Sequence, residues 1–215
     1  IADGGKAVAF QSAAKNLVAD KTHSYDDIFL SVKTTDAWTI EPKGIIGGWR
    51  NDLAVAGNIA YVTEGTNVVL YDISGDTAVK RSSLSLPVEP AMIAVSGNRL
   101  YAAGSVPMQN DAYFVAADVA NPAAPAVLGS CPISGLKWNG NMTVSGTSVY
   151  YSTQSGEWPN QTGTIGVVNA GDPAKPVAMG NLDLGGVAAD AFAIDGGWLY
   201  VQRNYVKDGP APMFF

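Results

Sequence analysis

One short pattern recurs along this chain and limits what it can fold into. Small or apolar residues alternate for four positions, a two-residue turn beginning with Gly follows, and a Tyr-centred apolar run comes next. It reads Leu53-Ala-Val-Ala-Gly57-Asn58-Ile-Ala-Tyr61-Val62. It returns at Ile93–Ala102 around Gly97, at Met142–Tyr151 around Gly146, and at Phe192–Val201 around Gly196. The four glycines stand 40, 49 and 50 residues apart. A Gly between two alternating apolar runs marks a tight hairpin, because it takes the positive φ of a primed turn without steric cost. A degenerate earlier copy is read at Val8-Ala-Phe-Gln11 followed by Asn16-Leu-Val-Ala-Asp20.

Each copy has a second half. A run rich in Val and Ile ends in Asp or Asn, as in Val68–Asp72, Phe114–Asp118 and Ile165–Asn169. Two of these lead to the same turn, Asn121-Pro-Ala-Ala-Pro125 and Asp172-Pro-Ala-Lys-Pro176, 51 residues apart. A fourth run closes the unit at Val79–Leu86, Ala126–Cys131 and Val177–Leu182. No segment carries an i, i+3, i+4 apolar stripe of helical length. Four short strands per 40–50 residues are the dimensions of one propeller blade. A blade covered on both faces by its neighbours needs few charges, and charged residues are only 15% of the 215, against about 25% in an average domain. The expectation is an all-β propeller of four-stranded antiparallel blades, with a β-sandwich or β-helix as the competing folds. The units are 1–51, 52–90, 91–138, 139–189 and a truncated 190–215, about four and a half blades. The sequence opens on Ile1 without a leader and closes on Phe214-Phe215, which reads as a strand interrupted. The polypeptide is therefore expected to be a processed chain or fragment that continues into a larger ring.

The run Ile93-Ala-Val-Ser-Gly97-Asn98-Arg-Leu-Tyr101-Ala102, followed by Phe114-Val-Ala-Ala-Asp118-Val-Ala-Asn121-Pro122-Ala-Ala-Pro125, resembles the LVIVD-repeat propellers. The resemblance covers residues 52–205 well and 1–51 weakly. It implies a bacterial or archaeal surface or secreted protein. It carries no catalytic residue over to this sequence, because the motif describes the blade and no chemistry.

Composition excludes several classes. With 13 Lys and Arg against 19 Asp and Glu, the net charge is −6, opposite to the basic excess of a nucleic-acid binder. The single Cys131 excludes an internal disulfide framework and a Cys-based zinc site. No apolar run reaches the ~18 residues of a membrane span. No Gly-x-Ser-x-Gly elbow, haem motif, phosphate loop or dinucleotide fingerprint is present. Asp72-Ile-Ser74-Gly75-Asp76 alternates oxygen ligands as a calcium loop does but lacks the closing Glu. A strand-end Asx turn explains it with less. Cys131 reads as a small packed thiol. No cofactor and no metal are expected.

Binding residues are sought on the loops, because loops carry function more often than the scaffold does. Propeller topology places the second-to-third and blade-to-blade connections on one face. The long loops expected there are Lys21–Asp27, Glu64–Asn67, Ser105–Asp111, Gln154–Gly163 and Asn204–Met213. Trp49 and Trp138 each lie eight residues before a repeat glycine, and Glu89 takes the same offset before Gly97. Arg50, Lys137, Asn139 and Asp190 stand beside them, and His23 and Trp158 lie on the long loops. Aromatics among mixed charges at a channel mouth suit a partner peptide or small ligand. The competing reading wedges both Trp rings between blades. Asn160 is the glycosylation candidate, since Asn141, the other sequon, opens an inner strand. The expected function is a non-catalytic surface or secreted scaffold that binds a protein partner or self-assembles. The alternative is an extracytoplasmic hydrolase or lyase using His23, Glu89, Glu157 and Asp190 as acid–base groups.

Overall fold

The computed structural model describes residues 7–12, 27–33, 40–46, 51–75, 77–137, 140–155, 162–183, 189–195 and 197–203. These residues form seventeen strands and no helix. The first sheet runs β1 (Ala7–Ser12), β2 (Asp27–Lys33) and β3 (Ile40–Ile46). The second runs β4 (Leu53–Ala56), β5 (Ile59–Glu64), β6 (Asn67–Asp72) and β7 (Val79–Ser85). The third runs β8 (Glu89–Ser96), β9 (Arg99–Ser105), β10 (Ala112–Asp118) and β11 (Ala126–Ile133). The fourth runs β12 (Met142–Ser145), β13 (Ser148–Ser155), β14 (Thr162–Asn169) and β15 (Val177–Asp183). The fifth pairs β16 (Ala189–Asp195) with β17 (Trp198–Arg203). Within every sheet the strands follow chain order and pair antiparallel.

Successive sheets stack face to face. Tyr61 and Leu70 of the second sheet share a buried cluster with Ile93, Leu100 and Val115 of the third. Tyr101 and Phe114, on the opposite face of the third sheet, share one with Met142, Tyr151 and Val168 of the fourth. Ile165 of the fourth sheet meets Phe192, Leu199 and Val201 of the fifth. The first strands lie in series, β4 beside β8, β8 beside β12, and β12 beside β16. This layout is propeller-like. It also explains the recurrent Tyr: Tyr61, Tyr101 and Tyr150 all lie in clusters shared with the following sheet.

The turns repeat as closely as the strands. Gly57, Gly97 and Gly146 take φ of 56°, 55° and 59°, and the residue after each keeps a negative φ, the pattern of a type II′ hairpin. The carbonyl of that second residue accepts the N–H that follows the third strand: Ile73 to Asn58, Val119 to Asn98, and Ala170 to Thr147. The third strands end in Asx turns. Asp72 accepts the Ser74 N–H, Asp118 that of Ala120, and Asn169 that of Gly171. Asp72 is thus a strand-end turn, with its carboxylate also paired to Arg81.

Two expectations are corrected. The partner of β1 is Asp27–Lys33, not Asn16–Asp20. The run Ile28-Phe-Leu-Ser-Val32 is richer in aromatic and β-branched residues, which suit a pleated surface. The segment Lys21–Asp27 therefore leads from the first strand into the second, not from the second into the third. The connection Glu64–Asn67 is no long loop. Gly65 at φ 55° and Thr66 close it as a two-residue hairpin.

Candidate functional site

The connections entering the first strands are where sequence reasoning placed a binding surface. Two of them are latched to the sheet they enter. Before β4, the N–H groups of Asn51 and Asp52 both donate to Thr63 Oγ1, at 3.0 and 2.9 Å. The Thr63 hydroxyl donates to the Asp52 carbonyl at 3.1 Å. Before β12, the Asn141 N–H donates to Ser152 Oγ at 3.0 Å, and the Lys137 N–H donates to the Ser152 carbonyl at 3.3 Å. Asp52 and Asn141 both stand five residues before the repeat glycine, and Thr63 and Ser152 six after it. The two latches are copies of one another.

The same residues also reach the next sheet. Asp52 Oδ2 accepts the Ile93 N–H at 2.7 Å. Asn51 Nδ2 donates to the Pro90 carbonyl at 3.0 Å. Asn141 Nδ2 donates to the Phe192 carbonyl. Ile93 and Phe192 both stand four residues before their own repeat glycine. The third sheet carries Met92 and Ala103 at the corresponding positions, both fully buried. Met92 joins the cluster that holds Met142, again four before its glycine. One position therefore ties each sheet to the next, through polar bonds at two junctions and apolar packing at the one between.

Electrostatics follow from this. Burial pushes the Asp52 carboxyl up to about 6, partly offset by the Ile93 and Leu53 N–H groups that it accepts. A carboxylate taken out of water without a cation resists ionisation. Burial likewise pushes the Cys131 thiol up and the Tyr151 phenol up to about 12. Cys131 is thus a buried thiol held in its neutral form, unlike a reactive thiolate.

Of the residues picked from sequence, three lie among those described. Glu89 opens β8, paired with Ser105 and half-buried. Lys137 is half-buried and precedes β12. Asp190 stands at the bulge of β16, between the pairs Ala189–Arg203 and Ala191–Gln202. Each takes the entry to a different first strand. Trp49, Arg50, Trp138, Asn139, His23, Trp158 and Glu157, with the glycosylation candidate Asn160, lie outside the described residues. Among those described, no three His, Cys, Asp or Glu side chains gather as a metal site would need, and no helix is long and apolar enough to cross a membrane. Sequence reasoning missed Asp52, Thr63 and Ser152. Their signal was present: an Asx before one strand and a hydroxyl at the matching position of the next.

No family model matches this chain, and no curated protein matches it. Solved structures do. Hydrazine synthase of Kuenenia stuttgartiensis aligns at 14% identity and a TM-score of 0.43, over 81% of this chain and 67% of that one. The N-terminal domain of Nup159 aligns at 8% identity and a TM-score of 0.47, over 82% and 57%. A Saccharomyces cerevisiae complex of Dbp5 with Nup159, Gle1, IP6 and ADP aligns at 9% and 0.46, again over 82% and 57%. This chain thus spans little more than half the length of the last two. None of the three bears on what it binds or does.

Proposed function

We propose that the five sheets are consecutive blades of an LVIVD-type β-propeller, and that the protein is a non-catalytic secreted or cell-surface scaffold which binds a protein partner across its blade-to-blade connections. The observation that carries this reading is the use made of polar groups there. Asp52, Asn51, Asn141, Thr63 and Ser152 are bonded to backbone of the same or the next sheet, so they stiffen the face and leave no acid–base pair assembled among them. Glu89 and Lys137 stand beside these rigid junctions, a preorganised setting that lowers the ordering cost of binding a partner.

Photo-cross-linking tests the reading. A photoreactive residue is placed at position 89 or 137, with Ala123 on the opposite Asx-Pro turns as control. Exposed to the producing cell's surface fraction, positions 89 and 137 are expected to give an adduct of discrete mass that position 123 does not. Equal labelling from all three, or none from 89 and 137, overturns the proposal.

A further inference from the structure

The chain has five methionines, and those among the described residues stand in opposite surroundings. Met92 and Met142 are exposed by 0% and 8% and share the cluster that joins the third sheet to the fourth. A Cβ added at Gly140 would fall 2.8 Å from Met92 Sδ, so that sulfur lies hard against the connection entering β12. Met179 is 64% exposed, at the bulge of β15. Met108 is fully exposed, the most open large apolar side chain among those described.

Met108 stands on the connection from β9 to β10, and that connection is held without its side chain. The Val106 N–H donates to the Asp111 carbonyl at 2.9 Å, and the Gln109 N–H donates to the Val106 carbonyl at 3.0 Å. The Val106 side chain packs against the cluster between the second and third sheets, and Pro107 has its own φ fixed by its ring. The backbone at Met108 is left-handed, with φ 63°. Such strain on an L-residue is retained where the position serves something other than packing. The turn thus keeps a bare thioether in water at a fixed place. Glu89 pairs with Ser105, the residue before Val106, so the tip rises from the same end of the third sheet as the connection entering β8. Cys131 is the only thiol of the chain. It is buried, and burial holds it protonated, so it does not compete for an oxidant.

We propose that Met108 is a reversible oxidation site that takes a peroxide as its substrate. The sulfur lone pair attacks one peroxide oxygen, the O–O bond breaks and an S–O bond forms. With hydrogen peroxide the other oxygen leaves as water, so the thioether is oxidised to the sulfoxide and the peroxide is reduced. A methionine sulfoxide reductase reverses the step with a pair of thiols, which become a disulfide while the sulfoxide oxygen leaves as water. The change makes an apolar tip polar and breaks no bond of the turn. At Met92 it would set a polar group inside the junction of two sheets. The site needs only the open sulfur, so it stands or falls apart from the scaffold reading.

The test uses the whole chain carrying Met179→Leu and Met213→Leu, so that only Met108 and the two buried methionines can oxidise. It is treated with dilute hydrogen peroxide, folded and in urea, and sulfoxide is read residue by residue by peptide mass mapping. In the folded chain Met108 is expected to oxidise within about twofold of its rate in urea, and Met92 and Met142 about tenfold or more below theirs. The chain oxidised at Met108 alone should keep its unfolding temperature and elute earlier from a hydrophobic-interaction column. Treatment with both reductase types, one for each sulfoxide epimer, and dithiothreitol should restore the original elution. Protection of Met108 by about tenfold or more in the folded chain, a sulfoxide there that neither reductase removes, or a lower unfolding temperature on its oxidation alone would overturn the proposal. So would an elution shift that persists in Met108→Leu.

Discussion

Asp52 and Ile93 sit 41 residues apart in sequence and in different sheets, yet the carboxylate of one accepts the backbone N–H of the other at 2.7 Å. The N–H sits in a first strand, where a ladder bond would otherwise be sought. Asn141 makes the same reach to Phe192, donating where Asp52 accepts. Between them, Met92 replaces both bonds by burial. A single repeat position thus shows three solutions to one problem, the tying of a sheet to its successor.

The Asp52 carboxyl has a folded-state value near 6 against an ordinary 3.8, so the folded chain holds its proton more tightly than the unfolded one. Its contribution therefore falls as pH rises from about 4 to about 6 and is level above that. Asp72 runs the other way. Hydrogen bonds from Ser74 and Arg81 hold it down to about 2, so its contribution is complete above 3.8 and lost as pH falls toward 2. Urea unfolding from pH 3 to 8 should show a decline between pH 4 and 6 that Asp52→Asn flattens. Asp72→Asn should leave that decline in place and remove the loss below pH 4.

Thr63→Val keeps the shape of a fully buried side chain and deletes the acceptor of two N–H groups. An orphaned buried donor costs about 1–3 kcal/mol. The variant should lose about that much in chemical denaturation. Asp52→Ala should cost a similar amount by freeing the Ile93 N–H. Thr63 holds the Asp52 backbone and the Asp52 carboxylate holds Ile93, so both changes loosen the same residue and the double variant should cost less than their sum. Strict additivity would show that Asp52 and Thr63 act independently.

The repeat was legible because its turn glycines, strand-end Asx residues and Asx-Pro turns each have one strongly preferred geometry, and they recur in fixed order. Gly57, Asp72 and Asn121 all sit in the turns their residue types favour. The first unit was misread because residues 1–51 carry no marked hairpin, so composition alone had to pick the partner of β1. The latches escaped notice for another reason. Asp52 before a strand looks like an ordinary loop residue, and only the register shows that it faces Thr63 and reaches Ile93. Sequence periodicity encodes position within a sheet. It does not say which polar residue crosses between sheets.

Two glycines should fail for different reasons. Gly57 has open space where a Cβ would go but holds φ at 56°, a region that costs an L-residue about 1–2 kcal/mol. Gly166 lies under the Tyr151 ring, where a Cβ would fall 2.1 Å from the ring's Cζ. Overpacking of this kind typically costs about 1–3 kcal/mol. Gly57→Ala and Gly57→Asn should lose similar amounts, because the first position of a type II′ turn disfavours any L-residue whatever its size. Gly166→Asn should be worse than Gly166→Ala, because only space matters there. Midpoints of urea unfolding for the four variants decide the matter. Equal ranking at both sites would refute the distinction.

Met108 is the one described non-glycine residue with a positive φ, 63°, and its side chain is fully exposed. It follows Pro107 in a turn closed by the Gln109 N–H on the Val106 carbonyl at 3.0 Å. Pro at the second position and positive φ at the third make a type II turn, whose third position favours Gly. No buried contact compensates Met108 for that backbone. Met108→Gly should therefore stabilise the chain by about 0.5–1 kcal/mol, the gain in backbone strain being partly offset by the freedom Gly adds to the unfolded state. Val106 and Asp111 close the same loop through a bond of 2.9 Å, so the turn should persist in the variant. A rise in the urea midpoint at constant slope is the expected result. A fall would mean that the exposed side chain contributes more in the folded state than its surroundings show.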